Sequence, residues 1–445
     1  MKLTYIQSST VIVEHDDVRI LCDPWFVDGE YYGSWAHYPS YDFKSEKFKN
    51  IDYIYVSHVH PDHLSRRSME LLNKDIPVLI HEFPMKYLKN NIQNMGFKVT
   101  ELSHDSRIHL KNGLYINILA ADDCDPTICG QLFACNFDTT HYGTNQIDTM
   151  CILDNGQQVI VNTNDCPYEI AYRTSFKVKN SYKNIDLLLV GYSGASAYPH
   201  CYELSEDEKN IEAEKKKNLR LTDAKKYVEL FQPKYFLPFA GRYTLAGKLN
   251  SLNNTRGEPE LEEAYDYLVS IIDQNKHKSF LLNSDSSFDI TTGNVSEPYK
   301  RINPIEKTKY IQNVLSYRKL DYEYGPIPTK EEILEFIPKA YERFEQQRRN
   351  LNFNSDTDIL LEISDDEFLD ISCKGKGFSI IPKSDIIKFS KYLQMSLDRR
   401  LLKNILMGPK KAHWNNSDIG AHIMWKRVPN VYERGIYHCL NFFHC

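Results

Sequence analysis

The stretch Ser57-His58-Val59-His60-Pro61-Asp62-His63 directly follows the apolar run Ile51-Asp52-Tyr53-Ile54-Tyr55-Val56. The apolar run predicts a buried strand, and on an extended backbone His58 and His60 project to the same side. The proline that follows fixes the chain at a turn, so the last carboxylate and imidazole can face a neighbouring position. Three imidazoles and a carboxylate favour zinc, iron or manganese over magnesium or calcium. The stretch therefore predicts a metal site, rather than a histidine-rich turn without metal.

Length and composition indicate a folded chain with a large core. The 445 residues are 42% hydrophobic and 12% aromatic, which predicts two or three domains, or one large domain with an appendage. Lysine and arginine total 54 against 60 acidic residues, for a net charge of −6. The absence of a basic field argues against nucleic-acid binding.

The sequence predicts a cytoplasmic protein without a membrane segment. No window approaches about 18 uninterrupted apolar residues, and the N-terminal Met1–Gln7 resembles a strand more than a signal peptide. The ten cysteines are spread widely, which predicts free thiols. The local cluster Cys124, Cys129 and Cys135 is interpreted as packed free thiols rather than a structural zinc knot.

Two hairpins are predicted in the first half of the chain. Thr10–Glu14 and Val18–Cys22 flank a short polar turn, and Met150–Leu153 and Gln158–Val161 flank an Asn-Gly pair, a strong hairpin signal. The second hairpin delivers Asp165 just beyond its far end. The aromatic-rich stretch 23–50 predicts a wall or lid over a site.

The character of the sequence changes near residue 300, where helical patterns begin to alternate with short strands. We therefore predict two units, a metal-binding catalytic domain over 1–295 and a smaller α+β accessory domain over 300–445. The fold class is α/β (α+β).

The ligand pattern resembles the metallo-β-lactamase family, whose fold is an αββα sandwich with metals at one edge of two sheets. The resemblance implies that His58 and His60, with a later histidine, hold one metal. It implies that Asp62 and His63 hold a second metal and that Asp165 bridges the two. Asp62 and Asp165 are thus candidate catalytic residues as well as ligands.

Further motifs resemble the CMP-N-acetylneuraminate hydroxylase family outside its Rieske domain, over roughly residues 1–260. The matching motifs are Leu21–Phe26, Tyr53–Ser57, Val161–Cys166, Gly194–Pro199 and Gln232–Gly241. This resemblance implies a non-haem iron oxygenase that acts on a nucleotide-activated sugar or a similar polar metabolite.

The sequence departs from these families in two ways. The chain has no Cys-x-His and Cys-x-x-His pairs of the kind that hold a Rieske cluster, so we expect an external ferredoxin- or cytochrome-type reductant. The last histidine of the fold is not evident either, because the matching strand ends Pro238-Phe239-Ala240-Gly241. The second metal is therefore expected to be weakly held or absent.

The remaining candidate residues are less firmly placed. His141 is the predicted third ligand of the first metal, with Asp122 or Asp123 as alternatives. The predicted substrate contacts are Trp25, His200 and Arg242. His200 is also a further ligand candidate, and Arg242 would contact an anionic group or simply lie at the surface.

Three functions follow from these residues. Two iron ions would give a hydroxylase that activates dioxygen. Two zinc or manganese ions would give a hydrolase of an amide, lactone or phosphodiester. A non-catalytic binding module is the third possibility, and alanine at His60 separates it from both enzymes because only a binding module would keep its ligand. We favour the oxygenase, because the matching motifs extend well beyond the metal ligands.

Overall fold

The computed structural model describes residues 1–121 and 148–445. Two β-sheets pack face to face, and helices cover their outer faces. Along each strand, successive side chains point to opposite faces of the sheet, so one set packs between the two sheets and the other packs against the helices. Val11 and Val13 lie between the sheets, whereas Ile12 between them faces the helix-covered outer side. The predicted αββα sandwich is confirmed.

The strands, numbered in chain order within the described residues, are β1 (Lys2–Gln7), β2 (Thr10–His15), β3 (Val18–Cys22), β4 (Trp35–Ala36), β5 (Tyr53–Tyr55), β6 (Val78–His81), β7 (Val99–Leu102), β8 (Ile108–His109), β9 (Tyr115–Ala120), β10 (Thr149–Asp154), β11 (Val159–Asn162), β12 (Leu187–Gly191), β13 (Tyr235–Phe239), β14 (Thr244–Leu245), β15 (Lys278–Ser279), β16 (Ser287–Asp289), β17 (Asn294–Val295), β18 (Asp358–Glu362), β19 (Glu367–Ser372), β20 (Phe378–Pro382), β21 (Tyr392–Ser396) and β22 (Met424–Val428).

The α-helices, numbered in the same way, are α1 (Arg66–Met69), α2 (Tyr87–Asn94), α3 (Tyr168–Ser181), α4 (Glu206–Phe231), α5 (Leu261–Ile271), α6 (Pro304–Asn313), α7 (Lys330–Leu334), α8 (Ile337–Asn350), α9 (Arg399–Leu406), α10 (Trp414–Ile419) and α11 (Arg434–Leu440). Short 3-10 helices span Ser45–Phe48, Gly247–Thr255, Leu315–Tyr317, Asp321–Tyr324 and Lys383–Lys388.

The first sheet of the sandwich has the order β17-β16-β1-β2-β3-β5-β6-β7, and the second has the order β15-β13-β12-β11-β10-β9-β8. Both predicted hairpins are confirmed. β2 and β3 pair antiparallel around Asp16, which has a φ of 50°, and β10 and β11 pair antiparallel around Gly156, which has a φ of 80°. A positive φ is the backbone conformation that such tight turns require.

Helix α4 covers the outer face of the second sheet. It begins at a capping box, in which the Ser205 side chain accepts the Glu208 N–H and the Glu208 carboxylate accepts the Ser205 N–H, satisfying two otherwise unpaired donors. Its buried residues Leu221, Ala224 and Val228 recur at intervals of three and four, which forms one apolar stripe.

The C-terminal part carries a third sheet, in the order β20-β19-β18-β21-β22. Its apolar side chains share one cluster with Trp25, Tyr31 and Trp35 from the N-terminal part. The predicted boundary near residue 300 is untested and stays a prediction. The shared cluster nevertheless means that this part packs directly on the loop that follows β3.

The cysteines that the structure describes are free thiols, as predicted: Cys22, Cys151, Cys166, Cys201, Cys373, Cys439 and Cys445. Burial raises the pKa of Cys22 and Cys151 well above the usual value, so both stay protonated and inert. The predicted thiol cluster of Cys124, Cys129 and Cys135 lies outside the described residues.

Candidate metal centre

The ends of four strands meet at one edge of the sandwich. β3 and β5 are parallel neighbours, so their carboxyl ends lie side by side. β10 and β11 are antiparallel, so the start of β10 lies beside the end of β11. The two sheets are joined here by Thr149, whose hydroxyl donates to the carbonyl of Ser57 at 2.9 Å and lies 2.8 Å from the Tyr55 hydroxyl. Residues next to the ends of β3, β5 and β11 and to the start of β10 therefore lie close together at this edge.

The predicted ligands are brought together around two neighbouring positions. At the first, His58 Nε2 lies 2.9 Å from His60 Nδ1 and 3.7 Å from Asp148 Oδ1. At the second, His63 Nε2 lies 3.1 Å from Asp165 Oδ1 and 3.6 Å from an oxygen of the adjoining Asp62. The other oxygen of Asp165 is 4.0 Å from His58 Nε2. The two oxygens of this carboxylate thus face different histidines, the arrangement expected of a bridging ligand.

These residues fit divalent transition metals. The sets His58, His60, Asp148 and His58, His63, Asp165 each offer ligand atoms within 4.8 Å of one another. Ligands about 2.0–2.1 Å from a tetrahedral metal lie about 3.3 Å apart, and the measured separations bracket that value. Two imidazoles with one carboxylate form a donor set that iron, zinc and manganese accept.

A buried carboxylate orients two of the imidazoles. Asp23 accepts the Ser57 N–H at 2.7 Å, the Ser57 hydroxyl at 2.8 Å and His63 Nδ1–H at 2.8 Å. The same hydroxyl oxygen lies 2.9 Å from His58 Nδ1 and accepts its proton. Each ring is thereby held with Nδ1 protonated and with Nε2 directed at the ligand cluster. Asp23 lies in one of the motifs named above, but this role was not predicted for it.

Burial prepares these side chains for metal binding. Burial, with the neighbouring imidazoles of His63 and His60, holds the pKa of His58 well below its usual value. Burial also lowers the pKa of His60, so both rings are neutral, the form that binds metal. Against the effect of burial, the carboxylates of Asp165, Asp23 and Asp62 raise the pKa of His63 well above its usual value.

Asp62 and Asp165, the two candidate catalytic residues, have pKa values that are shifted in opposite directions. Burial raises the pKa of Asp62, although the adjacent His63 opposes the shift. The pKa of Asp165 is lowered despite burial, because His63 and His58 stabilise its charge. The Asp165 side chain is 32% exposed, whereas those of His58 and His63 are 0% and 1% exposed. Asp165 is therefore the most exposed of these three side chains.

The aromatic stretch 23–50 forms a wall of the centre, as predicted. The hydroxyl of Tyr31 donates to Asp62 Oδ1 at 2.5 Å. The ring of Tyr31 lies 4.4 Å from that of Trp35, which stacks on Tyr243 at 3.6 Å. Burial and the Asp62 charge hold the pKa of Tyr31 well above its usual value, so the phenol remains a donor. This hydrogen bond fixes the position of Asp62 Oδ1.

One carboxylate at the first position was not predicted from the sequence. Asp148, directly before β10, lies beside His58. Its only sequence signal is its position just before a predicted strand, which many carboxylates share. The predicted third ligand His141 and its alternatives Asp122 and Asp123 lie outside the described residues, so their roles stay predictions.

The three predicted substrate contacts are all buried, and their hydrogen bonds and ring contacts involve residues outside the ligand cluster. Trp25 is 0% exposed and packs on His37 at 4.1 Å. Burial, with Lys216 and Arg256 nearby, holds the pKa of His200 well below its usual value. The substrate role of Trp25 and His200 stays a prediction.

Arg242 does not lie at the surface. It is 7% exposed, and a terminal nitrogen donates to the Tyr299 hydroxyl at 3.1 Å. Although burial opposes the shift, the phenols of Tyr5, Tyr299 and Tyr192 raise its pKa further. The guanidinium is therefore charged and surrounded by aromatic rings. Its predicted contact with an anionic substrate group remains untested.

The buried carboxyl group of Glu30, behind the aromatic wall, should make the stability of the folded protein depend on pH. It is 8% exposed and accepts the Ser65 hydroxyl at 2.6 Å, and burial raises its pKa to about 7. The folded state holds this proton more tightly than the unfolded state, so stability falls as pH rises from about 4.5 to about 7. Glu30→Gln should remove that loss.

We expect the metal-free wild type to lose about 2 kcal/mol more unfolding free energy than Glu30→Gln between pH 5.5 and 8. Urea unfolding at both pH values measures the difference. The exposed Glu46→Gln is the matched control and should follow the wild type. Equal pH dependence in Glu30→Gln and wild type would contradict the prediction.

Comparison with known proteins agrees with this architecture. Residues 2–125 match the family model described as Beta-lactamase superfamily domain. This part of the chain is thus similar to that domain. The matched residues include Asp23 and the whole motif from Ser57 to His63, whereas Asp148 and Asp165 lie beyond them.

Curated relatives resemble the chain over a longer stretch. A Mycobacterium tuberculosis protein named as a Rieske 2Fe-2S iron-sulfur protein is 27% identical over 267 residues, which covers 58% of this chain and 47% of that protein. The cytidine monophosphate-N-acetylneuraminic acid hydroxylase of Danio rerio is 26% identical over 274 residues, covering 59% and 42%. This chain thus spans about half the length of the curated relatives it matches.

Two solved structures align with this chain at low identity. The isothiocyanate hydrolase from Delia radicum gut bacteria is 13% identical, with a TM-score of 0.44 over 65% of this chain and 99% of that one. CmlA, a diiron β-hydroxylase from Streptomyces venezuelae, is 16% identical, with a TM-score of 0.41 over 64% and 53%. Within the described residues, no helix combines the length and apolar character that a bilayer-spanning segment needs.

Proposed function

We propose that this protein is a dinuclear non-haem iron oxygenase that hydroxylates a polar metabolite. The observation that carries the proposal is the ligand composition of the first position, where His58 and His60 lie beside Asp148. Two histidines with one carboxylate and open positions are typical of non-haem Fe(II) oxygenases. The placement of Asp148 beside His58 and His60 makes the first position fit this pattern.

The residues of the centre divide into three tasks. His58, His60 and Asp148 would hold one metal, His63 and Asp62 would hold the other, and Asp165 would bridge them. The bound metals would supply the binding and reduction of dioxygen, with one oxygen atom entering the substrate and the other leaving as water. Asp23 keeps two imidazoles in the ligating tautomer, and Tyr31 holds Asp62 by a hydrogen bond.

Relatives support a nucleotide-sugar-like substrate. The hydroxylases of cytidine monophosphate-N-acetylneuraminic acid match 58–59% of this chain. We therefore propose a substrate of that class or a similar polar metabolite. Because hydroxylation with dioxygen consumes two electrons from outside, the proposal includes an external ferredoxin- or cytochrome-type donor.

A dinuclear hydrolase is the second candidate. It is favoured by the two oxygens of Asp165, which face His63 at 3.1 Å and His58 at 4.0 Å. Such a carboxylate can hold two zinc or manganese ions about 3.5–4 Å apart, where they activate water and polarise a carbonyl or phosphoryl group. An amide, lactone or phosphodiester would then be the substrate.

Metal content decides between the two. Protein purified without added metal and with oxygen excluded should contain about two irons per chain by elemental mass spectrometry. With a reduced ferredoxin and CMP-N-acetylneuraminate, it should consume dioxygen and form a product one oxygen atom heavier. Zinc or manganese without iron would favour the hydrolase. Protein without any transition metal would contradict both enzymes.

A further inference from the structure

His60 contacts the C-terminal part of the chain. The side-chain amide of Asn415, on helix α10, places Nδ2 3.4 Å from His60 Nε2, although the two residues are 355 positions apart. Both side chains are partly buried. A ligand of the predicted metal centre is thus in contact with a residue outside the sandwich that carries the other ligands.

The geometry determines which nitrogen of His60 would bind metal. Nδ1 lies 2.9 Å from His58 Nε2, the nitrogen that Ser57 leaves unprotonated. Nδ1 therefore faces the ligand cluster, and once a metal occupied Nδ1 the ring proton would lie on Nε2. Histidines that bind metal usually donate this second N–H to an acceptor that fixes the ring. Here the Asn415 amide places its nitrogen beside Nε2, and a half-turn of the amide would present Oδ1 as that acceptor when metal is bound.

The segment that carries Asn415 is firmly attached to the aromatic wall. The His413 N–H donates to the Tyr32 hydroxyl at 2.7 Å, and His422 Nε2 donates to the Tyr31 carbonyl at 2.7 Å. A Cβ on Gly420 would lie 2.9 Å from the Tyr31 Cβ, so the two backbones approach closely. These contacts fix the position of α10 relative to the centre.

We propose that Asn415 is a positioning residue of the metal centre. Its amide oxygen accepts the Nε2 proton of His60 and keeps the ring in the tautomer that binds metal through Nδ1. The C-terminal part of the chain therefore completes a site whose ligands all lie in the first 165 residues. This inference rests on the proposed metal centre, but not on the oxygenase reaction.

The test is divalent-metal affinity, measured with Zn²⁺ by competition with a chromogenic chelator. Asn415→Leu removes the acceptor at similar volume and should weaken Zn²⁺ binding about 10- to 100-fold. Asn415→Asp keeps an acceptor and should bind Zn²⁺ at least as tightly as the wild type. Asn404→Leu, the same substitution on helix α9 of the same part of the chain, should leave affinity unchanged.

A second readout separates positioning from general loss of structure. The visible spectrum of the Co²⁺-loaded protein reports ligand geometry, and it should change in Asn415→Leu but not in Asn415→Asp or Asn404→Leu. Wild-type affinity and spectrum in a folded Asn415→Leu would overturn the inference alone. Failure of the wild type to bind Zn²⁺ or Co²⁺ would overturn it together with the proposed function. Metal binding without dioxygen consumption would defeat only the oxygenase.

Discussion

His58→Ala is expected to empty the first position of the centre. His58 Nε2 lies 2.9 Å from His60 Nδ1 and 3.7 Å from Asp148 Oδ1, and its side chain is fully buried. Loss of an outer-shell partner alone weakens metal binding by roughly 10- to 100-fold. Loss of a ligand should therefore weaken metal binding at the first position by more than about 100-fold and abolish any activity that needs both metals.

The measurement is metal per chain by elemental mass spectrometry after purification in parallel with wild type. His109→Ala replaces an exposed histidine on β8 and should retain the wild-type metal content. A His58→Ala protein that keeps the full wild-type metal content would contradict the assignment of His58 as a ligand of the first position.

Asp23 should have the second-largest effect, and two substitutions there should separate folding from metal binding. Asp23→Ala leaves the buried donors of Ser57 and His63 without their acceptor, which should cost about 3–5 kcal/mol. Asp23 also has a φ of 44°, a conformation that aspartate and asparagine tolerate better than alanine. We expect Asp23→Ala to unfold at markedly lower urea concentration.

Asp23→Asn should instead fold and lose metal. Its amide NH₂ would donate to His63 Nδ1, so the ring proton would move to Nε2, the nitrogen that faces Asp165. That tautomer cannot bind metal through Nε2. Urea unfolding and metal content together test this expectation. Asp52→Asn is the matched control, because Asp52 accepts a backbone N–H from Arg19 on the same sheet, away from the ligands. Normal metal content in Asp23→Asn would refute the assigned tautomer.

Ligands that are close in sequence could be predicted, whereas those joined only by the fold could not. His58, His60, Asp62 and His63 lie within six residues, and period-two geometry with a turn suffices to group them. The hairpin with its Asn-Gly turn located Asp165 at the end of a strand, and the family resemblance implied its role as a ligand. Asp148 precedes a strand of the same hairpin, but one carboxylate before a strand carries no distinctive signal.

The surroundings of the ligands show the same division. The aromatic content of 23–50 predicted a wall over a site, yet the hydrogen bond from Tyr31 to Asp62 depends on the chain path between them. A surface position was one of the alternatives predicted for Arg242, because the sequence does not reveal that tyrosines from separate elements surround it.

The sequence by itself determined the two hairpins and the ligand motif, because each rests on local periodicity, turn chemistry or contiguous residues, and the αββα fold class followed from the family resemblance of that motif. Only the tertiary structure decided that Asp23 orients His58 and His63, that Asp148 joins the first ligand set and that Asn415 contacts His60. These contacts span up to 355 residues. They arise from strand register and domain packing, in which a polar side chain gains its role from the partners that folding places beside it.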